Sequence, residues 1–460
     1  MNKAIKYIAM MMLALPLCSC HIYQKYQLPA EENAIVNDYK IALEAPVDSA
    51  SLPYLGWDQV FTDPLLQSYI RLALENNTDL DDAVQNVKMA QASLKGAKLS
   101  YLPSLALNLQ GSGSKYGPHT SMGWGYSLPL AANWEIDAFG KILNRKRGAQ
   151  VSLEQAREYQ QAARSSIICG VANTYYALVL LKQQLALTTR TSEIWKDQVE
   201  SMKLMKQAGM VNEAAVVQST ANYWNIKSSI PDIEQGIVEM NNTMSLLLNS
   251  YPKEWEVTTN LDFNLPTSIE NGVPVSYLAS RPDVRAAERG LAVAYYNTNM
   301  ARAAFYPSLA ISAQGGFTNL LGSMIKNPGE WFIQLAGSLV APIFSRGQNI
   351  SNLEVMKARQ KQAMNSFEKT VLSASADVSD ALSKYKTNNE KREYVLKQIE
   401  NLEKSVEYTQ ELLTLDQRTT YLEVLTAQSS LLSAQLASLN CWHNKVTALI
   451  SLYQAVGGGR

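Results

Sequence analysis

Histidine and cysteine, side chains suited to metal ligation and nucleophilic chemistry, are few in this 460-residue chain and scattered. The histidines are His21, His119 and His443. None shares a metal-ligand spacing with a cysteine or an acid, so surface or packing roles are expected. The cysteines are Cys18, Cys20, Cys169 and Cys441. Cys169 and Cys441 sit in helix-like stretches. They can pair in an oxidising compartment or serve as small buried hydrophobes, and two cysteines form no disulfide framework. No serine, cysteine or paired-carboxylate arrangement points to catalysis, so no enzyme, metal or cofactor is read. Gly457-Gly458-Gly459 follows no strand and precedes no helix, which makes 457–460 a flexible tail rather than a phosphate loop. Arg145-Lys146-Arg147 can meet anionic cargo or lipid head groups, and a solvated helix face is the simpler reading.

The N-terminus carries one chemical assignment. Lys3 and Lys6 make a positive start, and Ile8 to Leu17 make an apolar core too short to span a bilayer. Leu17-Cys18-Ser19-Cys20 then resembles a bacterial lipoprotein cleavage box. Residues 1–19 are expected to be a signal peptide, with Cys20 the lipid-bearing anchor of a segment 20–62. Cys18 is poorer because Leu17 precedes it. An ordinary secretory signal with incidental cysteines is the alternative. No later stretch has eighteen consecutive apolar residues, so no transmembrane helix is expected after the signal.

Lys plus Arg and Asp plus Glu each number 41, for zero net charge. That balance gives no electrostatic reason to expect nucleic acid. An internal repeat is the main feature. Tyr101-Leu102-Pro103-Ser104-Leu105 matches Phe305-Tyr306-Pro307-Ser308-Leu309, and Phe139-Gly140 matches Arg346-Gly347. Landmarks in one order at a nearly constant offset imply a duplicated unit of about two hundred residues.

Each unit opens on a helix, one from Asp63-Pro64 and one from Arg281-Pro282-Asp283, and proline stops them at Pro103 and Pro307. The period then changes to two. Leu105, Leu107 and Leu109 oppose Ser104, Ala106, Asn108 and Gln110; Leu309, Ile311, Ala313 and Phe317 oppose Ser308, Ala310, Ser312 and Gln314. Return strands alternate likewise through Met122, Trp124, Tyr126, Leu128 and Leu130, and through Ile333, Leu335, Leu339 and Ile343. First strands of about ten residues suit a tilted bilayer crossing, although alternation alone also fits a soluble half-buried hairpin. Helices without proline follow from Lys141 to about Gln207 and from Gln348 to about Leu415. Each would extend roughly 100 Å. Apolar steps of three, four and seven suit packing along their length. Reversals near Ala208-Gly209-Met210 and Asp416-Gln417-Arg418 lead into return helices, the first kinked at Pro231.

Four strands cannot close a barrel, and an open sheet edge is not tolerated in lipid. The chain must therefore oligomerise; three copies would give twelve strands, though this argument alone does not select three.

At this point the residues carry a resemblance. Asp63-Pro64-Leu65 with Asn76-Asn77-Thr78-Asp79-Leu80, Tyr101-Leu102-Pro103, Trp134-Glu135-Ile136-Asp137-Ala138-Phe139-Gly140-Lys141, Ser280-Arg281-Pro282-Asp283-Val284-Arg285-Ala286-Ala287-Glu288 and Leu425-Thr426-Ala427-Gln428 resemble the landmarks of TolC-like outer-membrane factors. The branch most similar is the lipoprotein one that serves resistance-nodulation-division efflux pumps. The implied fold is mainly α with a membrane β-barrel part. Duplicated long α-helical hairpins form an α-barrel, and two β-hairpins per chain build a trimeric twelve-stranded barrel. The corresponding division is a first repeat over 63–250 with its β-hairpin at 103–136, a linker over 251–280, and a second repeat over 281–456 with its β-hairpin at 307–344. Pro103, Gly140, Arg281, Pro282, Asp283, Pro307 and Gly347 are structural landmarks. The implied function is a passive export duct for small molecules such as drugs, lipid-anchored in the bacterial outer membrane with a long periplasmic extension. A homotrimer would work with a periplasmic adaptor protein and an inner-membrane pump. Protein secretion, heavy-metal export or a structural coiled-coil lipoprotein are the alternatives. In this family the helical reversals form the gate, and an acid often precedes the Ala-Gln pair. Thr426 stands there, so Leu422 with Asp416 or Glu423 is expected to line the closed tip.

Overall fold

The computed structural model describes residues 22–29, 34–44, 52–115, 117–119, 121–259, 261, 263, 275–318, 330–415 and 421–459. Cys20, the signal segment and Asp416 lie outside the described residues. Helices in chain order are α1 (Ala34–Glu44), α2 (Trp57–Val60), α3 (Pro64–Asn76), α4 (Thr78–Leu99), α5 (Lys141–Gln207), α6 (Glu213–Leu247), α7 (Pro282–Ala303), α8 (Gln348–Leu415) and α9 (Tyr421–Ala455). Strands are β1 (Ser104–Leu107), β2 (Gln110–Ser114), β3 (Gly123–Ile136), β4 (Ser308–Thr318) and β5 (Glu330–Val340).

Equivalent elements pair off in length. Helices α4 and α7 both have 22 residues, α5 and α8 have 67 and 68, and α6 and α9 both have 35. Gly140 and Gly347, the residues before the two longest helices, both adopt positive φ, at 69° and 77°. A side chain is disfavoured there, so glycine lets the chain turn out of the sheet and into the helix.

The chain divides into two compact units. The first comprises 1–33, 85–158 and 285–369 and holds the sheet. Its order is β1 and β2 beside β3, then β4, then β5, with antiparallel pairing throughout. The first strand was expected to run unbroken for about ten residues, but it splits between Leu107 and Gln110. Pro129 of β3 is the cause. Its carbonyl accepts a bond from the Asn108 amide at 3.0 Å, so its missing N–H faces the same side and the ladder loses a rung. Met122 and Ile343, expected in the return strands, lie just outside β3 and β5.

Paired residues share a face of the sheet. One face carries Leu105, Leu107, Leu130, Trp134, Ile311, Phe317, Trp331, Ile333, Leu335 and Leu339, all of them exposed in the single chain. At the centre, a Cβ on Gly316 would stand 2.0 Å from the Leu128 carbonyl oxygen. Gly316→Val is therefore expected to force β3 and β4 apart, a loss of more than about 3 kcal/mol. Far-UV circular dichroism and loss of heat-modifiable migration on a gel would show it; a wild-type pattern would contradict this close approach.

The second unit comprises 34–84, 159–284 and 370–460. Its core gathers Phe61, Leu66, Ile70, Ile168, Val171, Tyr175, Leu178, Met244, Trp255, Trp442, Leu449 and Tyr453. The first helix of the repeat is broken at Asn77 rather than continuous. Asn77 Oδ1 accepts from the Asp79 and Leu80 amides, capping α4, while its Nδ2 donates to the Leu247 carbonyl at 2.9 Å. Asp63 caps α3 as expected, accepting from the Leu65 and Leu66 amides. Pro231 stands inside α6, which continues helical on both sides. The most apolar window of α5 is 61% buried, so it belongs to a protein core.

Candidate functional site

Three groups of residues define what this chain can do. The first is the junction between sheet and helix in the first unit. Asp137 Oδ1 and Oδ2 accept from the amides of Ile142 and Leu143 at 2.9 and 2.6 Å, which fixes the start of α5. Glu135 pairs with Lys141 at 2.9 Å and Phe139 stacks on Tyr306. The buried Asn144 donates from Nδ2 to Gly140 and Ile22 carbonyls. Arg147 donates to the Tyr23 and Gln24 carbonyls, so part of the basic run holds the N-terminal segment instead of facing solvent. Lys146 lies over the Tyr101 ring and Arg145 is exposed.

The second group ties the landmark Arg281-Pro282-Asp283 into the second unit. The Arg281 guanidinium reaches both Asp283 oxygens at 3.0 and 2.8 Å, Asp377 at 2.9 Å and the Ala455 carbonyl at 3.0 Å. Burial works against its charge, but the two carboxylates outweigh that and hold its pKa above the ordinary value. One side chain thereby fastens the start of α7 to α8 and to the end of α9. Arg281→Ala is expected to cost about 1–3 kcal/mol, because it leaves the Ala455 carbonyl without its donor, while the half-exposed Asp283 and Asp377 regain water. Arg281→Lys recovers little, since an ammonium cannot reproduce the fork. Chemical denaturation would measure both; a loss under about 1 kcal/mol for Arg281→Ala would contradict the clasp.

Beside it, the supposed flexible tail is packed. Gly459 donates its amide to Tyr453 Oη at 2.8 Å, and its carbonyl accepts from Gln161 and Arg164. Gly458 accepts from Ser165 Oγ at 2.6 Å. A Cβ on Gly457, Gly458 or Gly459 would meet Ser280, Tyr453 or Ser165 within 3 Å. The glycines are there for closeness, not flexibility, and a run of glycine in sequence cannot distinguish the two.

The third group is the helical reversals of the second unit. Trp195, Met202, Val216, Ile226, Tyr421, Val424 and Leu425 form a small core. Lys206 and Glu213 form an ion pair across the first reversal. A cleft of about 830 Å³ is lined by Met205, Met210, Val211, Leu413, Tyr421 and Leu422, among others. The buried Ser219 Oγ donates to Tyr421 Oη at 2.7 Å, joining α6 to α9. Burial raises the Tyr421 pKa, so the hydroxyl stays protonated. Of the expected gate residues, Leu422, Glu423 and Thr426 all turn away from this core and are exposed; Leu422 is 63% accessible. Thr426 donates back to the Leu422 carbonyl at 2.8 Å. Asp416 lies outside the described residues. The Ser219–Tyr421 bond had no signal in the sequence.

Cys169 and Cys441 are both buried and unpaired, as the small-hydrophobe reading has it. Burial pushes the Cys169 thiol up to about 12.

The family described as outer membrane efflux protein matches residues 69–250 and 273–458. The chain belongs to that family. As an outer membrane efflux protein it is similar along its length to several relatives. The cation efflux system protein CusC of Escherichia coli is 27% identical, with 97% of this chain and 98% of that protein covered. The probable efflux pump outer membrane protein TtgC of Pseudomonas putida is 28% identical, with 100% and 96% covered. Among solved structures, CusC superposes with a TM-score of 0.84 at 26% identity, covering 95% of this chain and 99% of that one. The open-state MtrE outer membrane channel of Neisseria gonorrhoeae gives 0.80 at 27% identity, covering 90% and 94%. The largely helical chain with two β-hairpins is thus the architecture of these channels, and the efflux protein acts as an outer-membrane channel.

Proposed function

We propose that three copies of this chain form one continuous, non-enzymatic export duct, anchored by lipid on Cys20. The observation that carries the reading is the sheet. Among the described residues it is four strands wide, apolar on one face, and unpaired at β1–β2 on one side and β5 on the other. Lipid tolerates neither an open edge nor an unclosed sheet of this width, so edge must meet edge of another copy. Three copies give twelve strands, and the duplicated helical hairpins continue the bore as an α-barrel in the periplasm. In this reading residues 1–19 are removed and 20–62 form the anchor segment. The repeats occupy 63–250 and 281–456, joined by 251–280. One relative of Salmonella typhimurium is named a probable outer membrane lipoprotein, which supports the anchor.

The closed end is formed by Leu422 with Asp416 or Glu423; Thr426 shares the exposed side of α9 with Leu422 and Glu423. An adaptor protein and an inner-membrane pump supply opening and energy. The cargo is small molecules. CusC is named for cation efflux, TtgC for an efflux pump, so metal cations stand beside drugs as the cargo class. Accumulation of dyes, antibiotics, bile salts and metal ions, in cells with and without the gene, tests this. Build-up in the deletion strain, reversed by the intact gene, is the expected result. Unchanged levels for every compound would contradict small-molecule export.

A further inference from the structure

The face of the sheet opposite the apolar one has a composition of its own. Register places Ser104, Ala106, Gln110, Ser112 and Ser114 on it, beside Gly125, Ser127, Ala131 and Asn133. Ser308, Ala310, Ser312, Gln314 and Thr318 continue it, beside Gln334, Ala336 and Ser338. Hydroxyls, amides and small residues cover it. Gln314 Nε2 donates to Gln334 Oε1 across β4 and β5, so a row of neutral amides crosses its middle. Next to that row, Pro129, Gly316 and Phe332 make an apolar one. Among the described strand residues the only formal charges on this face are Glu135 and Glu330, at opposite ends. Glu135 is offset by Lys141.

We propose that the middle of this face is a pore lining without fixed charge, so that the barrel admits anionic, cationic and neutral solutes alike, with the Gln314–Gln334 row as the position where charge selectivity is withheld. The inference rests on the duct reading, in which the polar face surrounds water. A fixed charge in a water-filled lumen biases ions within about a Debye length, 8–10 Å. Same-face neighbours at i and i+2 lie well within that range. A lining of amides and hydroxyls offers hydrogen bonds to solutes of either sign and favours neither. Any choice among charged cargo must then be made elsewhere along the route.

Ser312→Cys puts a thiol on this face, one same-face position from Gln314. Cys169 and Cys441 are buried, which keeps background labelling low. The full-length protein in nanodiscs is treated with a cationic and an anionic methanethiosulfonate of similar size, each rate normalised to glutathione in solution. The two normalised rates are expected to agree within about twofold. Adding Gln314→Glu should then raise the cation-to-anion ratio several-fold. A tenfold preference for either reagent without that change would overturn the uncharged lining. An unaltered ratio with Gln314→Glu would remove Gln314 from the lining. Reaction with neither reagent would mean that the face is not in water, and the duct reading itself would fail.

Discussion

Leu335→Arg is expected to abolish assembly of the channel, while the neighbouring Gln334→Arg leaves assembly intact. The two positions are consecutive on β5 and point to opposite faces. Leu335 pairs with Ala313 on the apolar face and is 75% exposed in the single chain. No described residue covers it, so in a soluble protein an arginine there would cost little. In a bilayer the cost is about 2–4 kcal/mol per copy near the midplane, and three copies incur it together. Gln334 already stands on the polar face, where a guanidinium stays hydrated. Gel migration of unheated samples separates the cases. Equal yields of assembled protein from both variants would show that the apolar face does not meet lipid.

Leu422→Gly is expected to turn a closed channel into a leaky one without unfolding it. Leu422 is exposed and lies outside the small core held by Tyr421, Val424 and Leu425. Truncating it removes little packing within the chain, and glycine near the start of α9 costs about 1 kcal/mol. If Leu422 narrows the bore, three missing side chains widen it at once. Entry of bulky antibiotics should then rise several-fold with protein levels unchanged. Tyr421→Phe should act in the same direction but more weakly, since it removes hydroxyl hydrogen bonds to Ser219 and Gln198 worth about 1 kcal/mol each. Unchanged entry with Leu422→Gly would take Leu422 out of the gate.

Much of the architecture could be read from sequence because its signals are local. Proline at Pro103 and Pro307 ends helices, alternating Leu and Ser through 104–110 marks a strand, and Gly140 and Gly347 sit where only a left-handed turn fits. Repetition of these signals at a fixed offset gave each a second witness. The reading failed where the deciding partner is distant in sequence. Pro129 breaks the first strand from across the sheet, and Asn77 interrupts its helix because Leu247 offers a carbonyl. The terminal glycines looked free because Ser165, Tyr453 and Ser280, which crowd them, are named by no local pattern. The tip shows the same division. Leu422 and Thr426 are singled out only by the resemblance around Leu425-Thr426-Ala427-Gln428, and the Ser219–Tyr421 link, which spans 202 positions, has no local signal at all.

The central claim is that open strand edges are closed by other copies of the same chain. Native mass spectrometry of the protein, extracted from membranes in mild detergent, tests it most directly. The account predicts a single species of roughly 150 kDa, three times the 50.9 kDa chain less its signal segment. A stable monomer at membrane concentrations, with its sheet intact, would contradict it.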